Sequence, residues 1–150
     1  MEIDIAYIDL SQLVGGKRFT VSCILSKNGY GTHVSALIDS RANGLVFIDS
    51  KFAYELAEYL HTLILRLKRP CVVKGYDGKL GAPAREYIRV QLTVDSNRQL
   101  DIPILILELG THDLILGREW LSHFDIWLDV RNRRLVWPKE QIGEAGPLIH

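Results

Sequence analysis

At 150 residues the chain falls in the size range of one domain and is long enough to bury a substantial apolar core unaided. Eighteen Lys and Arg balance eighteen Asp and Glu, so no overall field marks a binder of nucleic acid or of an anionic membrane. The longest apolar runs, such as IPILILELG, are well short of a membrane span, and a soluble domain is expected.

The first residues, MEIDIAYIDLSQLVGG, carry acids and no basic start before an apolar run, so no signal peptide is expected. Residues 1–15 and 140–150 have the Gly and polar content of less ordered ends, although Ile3, Ile5, Tyr7 and Ile8 could form an edge strand. In FTVSCIL, Phe19, Val21, Cys23 and Leu25 alternate with Thr20 and Ser22, the period of a half-buried strand. NGYG at 28–31 supplies the residues of a hairpin turn, and THVSALI returns as the partner. From Ser50, the residues Ala53, Leu56, Ala57 and Leu60 fall at helical spacing, with Asp49 or Ser50 placed to cap the first amides. TLILRLK reads equally as helix, through Leu63, Ile64 and Leu67, or as strand, through Leu63, Leu65 and Leu67, and Pro70 is expected to end either. YIRVQLTV and LDIPILIL, joined by DSNRQ, read as a second hairpin. A short helix is predicted after Gly117, with Trp120, Leu121 and Phe124 on one face. FDIWLDV and RLVWP, joined by RNRR, make a third hairpin that Pro138 closes. The basic cluster at 131–134 is then a solvated turn rather than a phosphate site. The organisation expected is an N-terminal segment 1–17, one domain over 18–138 and a tail over 139–150.

The order hairpin, apolar strand, turn, helix occurs twice, over 19–60 and 87–124, with ALIDSR and LILGRE in matching places. With no low-complexity linker between them, the halves read as pseudo-symmetry inside one domain. An aspartate leaving a buried strand, followed by a hydroxyl residue, suits an acid–base catalyst built from two carboxylates, and Asp39 and Ser40 fit. Taken alone, the tripeptide IDS is more often a turn opener.

ALIDSRANGLVFID, then VVKGYDGK, then HDLILGREWLSHFDIWLDVRNRRLVWP resemble, in order and spacing over about residues 18 to 138, the retropepsin-like aspartic protease domain of gypsy-type LTR retrotransposons. The resemblance implies an all-β, retropepsin-like acid protease barrel with one or two short helices. It implies that Asp39 is the catalytic carboxylate, that Ser40 braces the two active-site loops, and that Ala42 lines the cleft. Asn43 stands where related enzymes have an acid paired with the arginine after the late glycine, here Gly117 and Arg118. The flap would be the hairpin around Gly75, Tyr76, Asp77, Gly78 and Lys79. With one Asp-Ser pair per chain at the place of the family's catalytic motif, Asp39-Ser40, a catalytic pair requires a symmetric homodimer acting on an extended peptide.

The departure is Arg41, where the family has glycine. An arginine there crowds the dimer centre, and its charge beside Asp39 opposes the sharing of one proton between two carboxylates. Two outcomes follow from the resemblance: an aspartic endopeptidase impaired by Arg41, or an inactive pseudoprotease that dimerises or binds peptide. A third arrangement, with Arg41 turned to solvent and paired with an acid such as Asp49, would leave weak activity.

No cofactor or metal is expected, because His33, His61, His112, His123 and His150 show no ligand spacing with one another or with the cysteines. Cys23 and Cys71 lie in apolar segments and read as reduced core thiols, which implies a reducing, cytoplasmic setting. Trp120, Trp127 and Trp137 read as packing residues rather than a base-stacking platform, so nucleic acid is not an expected partner.

Overall fold

A computed structural model of the chain describes residues 3, 5–11, 18–75 and 77–145, the last four by backbone alone. Tyr76 of the expected flap and residues 146–150 of the expected tail lie outside the described residues. The expected edge strand is present as β1 (Tyr7–Asp9). The first hairpin is β2 (Phe19–Lys27) and β3 (Tyr30–Ile38), paired from Phe19↔Ile38 to Lys27↔Tyr30. Asn28 and Gly29 turn the corner with φ of 54° and 83°, the left-handed pair that matches the twist of the flanking strands. Next come β4 (Val46–Asp49) and α1 (Ser50–Tyr59), whose inner face is Ala53, Leu56 and Ala57. Asp49 holds the N-cap position without capping: its carboxylate accepts instead from the amides of Leu109 at 2.9 Å and Gly110 at 3.2 Å.

The ambiguous stretch resolves as strand β5 (Leu65–Lys74), and Pro70 lies inside it rather than ending it. The ring is tolerated because pairing with β6 (Ala84–Val94) is interrupted between Arg66 and Cys71, where no ladder amide is required. β6 turns into β7 (Asn97–Leu107) through Asp95 and Ser96 alone, both at positive φ. The five-residue loop expected there is therefore a two-residue turn, and Asn97, Arg98 and Gln99 join the strand. β8 (Leu114–Leu116), α2 (Arg118–His123), β9 (Trp127–Asp129) and β10 (Arg134–Val136) follow as expected.

Pro138 does not close a strand but opens a third helix, α3 (Pro138–Ala145), one more than the sequence suggested. Proline at a first helical position loses an amide that had no partner anyway, and the Glu140 carboxylate reaches back to accept from the Trp137 amide at 3.0 Å.

Strands β6-β2-β3-β8-β4-β7 close on themselves through the β6–β7 pairing, forming a six-stranded barrel. This bears out the all-β barrel class. Its interior is filled by Leu25, Ile38, Ile48, Ile88, Leu92 and Leu116, with Trp120 of α2 plugged in beneath. β5 and β1 continue the sheet outward from β6, β1 running parallel to β5 at Tyr7↔Val72 to Asp9↔Lys74. Under that overhang sits a second core, built from Ile8, Leu10, Leu37, Phe47, Cys71 and Ile115.

The two repeats pair through β2–β6 and β4–β7, and they interlock at β8. β8 lies parallel to β3, with Ala36↔Leu114, Leu37↔Ile115 and Ile38↔Leu116, and antiparallel to β4 on its other side. The chain from β3 to β4 must therefore loop over the end of β8. A Cβ at Gly117 would lie 2.6 Å from the Gly44 carbonyl oxygen and 2.9 Å from that of Ala42, both fixed backbone atoms. Gly117→Ala is accordingly expected to cost about 2–3 kcal/mol or more in urea denaturation, from overpacking against backbone that has nowhere to move. Gly31→Ala, whose added Cβ would come no closer than 3.4 Å to a side-chain carbon, serves as the tolerated control.

Candidate active site

Asp39 follows directly on β3, its amide donating to the Leu116 carbonyl at 3.2 Å, so the aspartate sits where the two repeats touch. Its residue surface is only 3% exposed. Its carboxylate is engaged by Arg41. The Arg41 backbone amide donates to Asp39 Oδ1 at 2.9 Å, its Nε to the same oxygen at 3.1 Å, and its Nη2 to Oδ2 at 2.8 Å. The main-chain bond is an Asx-type turn, which throws residue 41 back over residue 39 and makes the side-chain fork a local consequence. The bond to Asp39 also pushes the guanidinium pKa up, against the opposing effect of burial. The alternative in which Arg41 pairs with Asp49 does not occur, because Asp49 is engaged with Leu109 and Gly110.

The neighbouring residues take different places. Ser40 is exposed at the tip of the turn. Ala42 is 0% exposed and packed in the second core, so it lines no open cleft; it is held by the bond of its amide to the Asp39 carbonyl and of its carbonyl to the Arg118 amide. Asn43 does not meet the Arg118 side chain. Its Oδ1 accepts from the Asp9 amide at 2.8 Å and its Nδ2 donates to the Tyr7 carbonyl at 2.9 Å, tying the loop to β1. The link between the loop and the late glycine is instead main chain to main chain: the amides of Gly117, Arg118 and Glu119 donate to the carbonyls of Leu45, Ala42 and Gly44 at 2.8–2.9 Å. Those carbonyls satisfy the free amides at the start of α2, whose cap residue has no side chain to do so.

The expected flap is a short exposed hairpin at the end of β5. Lys74 bridges Leu80, the Gly75 amide donates to the Lys79 carbonyl at 2.9 Å, and Gly78 turns with φ of +79°. Asp77 accepts from the Lys79 amide at 2.9 Å. Between this arm, α1 and the end of β7 lies a cavity of about 520 Å³, walled by Val73, Gly75, Tyr54, Ile106 and Leu107 among others. Neither Asp39 nor Arg41 lines it in the single chain. One contact at its edge escaped the sequence reading: Tyr54 of α1 donates to the Glu86 carboxylate of β6, tying the helix to the arm, and that bond first of all pushes the Tyr54 pKa up. An aromatic and an acid 32 residues apart carry no local signal of such a contact.

No group of three His, Cys, Asp or Glu comes together among the described residues. Burial holds His112 below its ordinary pKa, with Arg18 adding to the effect. Burial likewise pushes the thiols up, Cys23 to about 12 and Cys71 to about 11, so neither is a nucleophile at neutral pH.

Residues 35–145 match the family model described as the PEG10/RTL1 protease domain, a span that takes in the Asp39 loop, the hairpin at the end of β5 and the Gly117 turn. The match bears out the resemblance to a gypsy-like, retropepsin-derived domain. Among solved structures, the retroviral protease-like domain of Ddi1 from Leishmania major superposes with a TM-score of 0.52 at 16% identity, covering 80% of this chain and 88% of that one. At that identity the likeness shows the fold alone. No curated protein sequence matches the chain.

Two measurements check the site as described. Asn43→Asp keeps the acceptor for Asp9 but replaces the donor to Tyr7 with a second acceptor; it is expected to cost about 1–2 kcal/mol and to strip hydrogen-exchange protection from Tyr7–Asp9 before the barrel strands are affected. Alkylation of Cys23 and Cys71 at pH 8 should proceed only at the rate of opening of each core, and fast labelling of either in the folded chain would contradict the burial described.

Proposed function

Because the chain belongs to the PEG10/RTL1 protease domain family, we propose that it is a retropepsin-like domain that pairs two Asp39 loops in a homodimer and holds an extended peptide there, with hydrolysis suppressed by Arg41. The observation that carries this reading is the fork of Arg41 on both oxygens of Asp39.

Hydrolysis by two carboxylates needs one oxygen to take a proton from the attacking water and another to give a proton to the peptide carbonyl. Those are the oxygens to which Arg41 donates. A shared-proton pair carries one net negative charge, whereas two Asp39–Arg41 pairs brought together carry none, so the field that would activate water is cancelled at its source. The backbone amide of residue 41 is also spent on Oδ1 and does not face a substrate. Peptide holding survives this change, since it draws on strand-like hydrogen bonds from the flap arm and on the apolar walls beside it. A second reading, an endopeptidase with residual activity, draws on the Arg41 side chain being 32% exposed, with solvent on one side into which it could turn.

Cleavage of a mixed peptide library at about pH 5, where aspartic pairs of this kind work, separates the two. The chain as it stands is expected to be inactive, Arg41→Gly to cleave, and Arg41→Gly with Asp39→Ala to be inactive again, with sedimentation showing a dimer throughout. Cleavage by the unaltered chain that Asp39→Ala removes would establish the second reading. An Arg41→Gly dimer with no activity would show that the fork is not what suppresses catalysis.

A further inference from the structure

The overall balance of charge conceals a separation. Between Ile64 and Val90 the chain carries seven Lys and Arg against two acids, Asp77 and Glu86, while the remaining residues carry eleven against sixteen. This basic segment is β5, the flap hairpin and the first part of β6.

Part of it forms a groove of about 440 Å³ beside β5, away from Asp39. Among the described residues ten line it; four are cationic and none is acidic. Its apolar floor includes Leu67, Pro70 and Tyr87, and opens from the second core, against which Leu67 and Tyr87 pack. Arg89 is held by Asp101, Nη1 donating to its carboxylate at 3.1 Å. Arg66, Lys68 and Arg69 are exposed and form no ion pair among the described residues. Glu86 stands opposite Arg66 in the β5–β6 register, whereas Lys68 and Arg69 have no ion-pair partner among the described residues, and an anionic ligand would relieve the repulsion between them.

The backbone points to what kind of anion. β1 covers β5 only at Val72–Lys74, and pairing with β6 is interrupted between Arg66 and Cys71. From Leu65 to Arg69 the edge of β5 away from β6 thus has no strand partner among the described residues. An open strand edge presents amides and carbonyls at the spacing of another extended chain. A nucleic acid has no use for that edge, and the groove offers a single half-buried ring, Tyr87, rather than a stacking platform.

We propose that this groove is a docking site for an extended acidic peptide segment, which adds along the edge of β5, sets an apolar side chain on Leu67 and Tyr87, and places carboxylates on Arg66, Lys68 and Arg69. The site is separate from the Asp39 loop and does not depend on whether that loop hydrolyses anything.

The test is fluorescence anisotropy of a labelled ten-residue peptide alternating Glu with Leu and Val, beside the same peptide with Lys for Glu and a single-stranded oligonucleotide of equal length. Each is titrated with the full chain, with Lys68→Glu/Arg69→Glu, with the milder Lys68→Gln/Arg69→Gln, and with Asp39→Ala. The acidic peptide should bind at least about tenfold more tightly than the basic one. It should lose about tenfold or more in the Glu variant and less in the Gln variant, bind Asp39→Ala unchanged, weaken with salt, and slow amide exchange at Leu67–Arg69. Both substitutions lie on exposed side chains, and an unchanged circular dichroism spectrum confirms that the variants fold. No preference for the acidic peptide, equal binding by the Glu variant, tighter binding of the oligonucleotide, or loss of binding in Asp39→Ala would each overturn the proposal.

Discussion

Three hydrogen bonds between main-chain groups hold this molecule's design together: the amides of Gly117, Arg118 and Glu119 on the carbonyls of Leu45, Ala42 and Gly44. They exist because β8 lies between β3 and β4, which forces the chain joining those two strands to cross over the end of the strand between them. At such a crossing two backbones come within hydrogen-bonding distance, and only a residue without a Cβ fits. The crossing does two things at once. It completes the first turn of α2, which brings Trp120 into the barrel, and it fixes the loop from Asp39 to Leu45 as a rigid platform rather than a mobile connection. A functional side chain carried on that platform is placed by the barrel itself.

What the platform carries is a carboxylate already partnered. A buried ion pair gains from mutual attraction and loses from desolvation, and the balance favours it only when the remaining lone pairs are satisfied. Here Asp39 Oδ1 accepts from both the amide and Nε of Arg41, Oδ2 accepts from Nη2, and the guanidinium keeps one side in water. The arrangement is satisfied within three residues and needs no second chain. A paired-carboxylate centre, by contrast, is completed only across a dimer. In the proposed homodimer each carboxylate would thus bring, in Arg41, a partner already present before association.

Much of this was legible in the sequence, and the parts that were not share a cause. Period-two patterns located the hairpins, and the matching of ALIDSR with LILGRE anticipated two strands that lie side by side in register. The candidate site was read from Asp39 and the late Ile-Leu-Gly, whose strands the structure brings side by side. The errors came where a residue's partner is distant in sequence or where local chemistry was under-read. Asp49 looked like a helix cap because the loop at Leu109 and Gly110, which claims its carboxylate, lies 60 residues away. Asn43 was matched with Arg118 by position, while its amide went to β1. Pro70 read as a stop because a strand interruption is invisible without the partner strand. The helix at Pro138 and the two-residue turn at Asp95 were local and could have been read: Trp-Pro-Lys-Glu carries a first-position proline and a back-reaching Glu, and Asp-Ser tolerates positive φ.

β1 makes the last connection. One of its edges bonds β5, with the Val72 amide on the Ala6 carbonyl and the Leu10 amide on the Lys74 carbonyl; the other bonds Asn43. A residue that must receive from one strand amide and give to a carbonyl two residues earlier needs a donor and an acceptor on one short side chain. Asparagine has both, whereas an ionised carboxylate can only accept. Asn43 thereby stands in for a neighbouring strand and closes what would otherwise be a free edge. The hairpin arm at the end of β5, the N-terminal strand and the Asp39 loop are in this way joined in series, main chain to main chain between β5 and β1 and through the Asn43 side chain between β1 and the loop. A displacement of the arm at Lys74 therefore acts on the Asp39 loop through three residues of β1, by the Asn43 hydrogen bonds and by the packing of Ile8 and Leu10 with Ala42 in the second core.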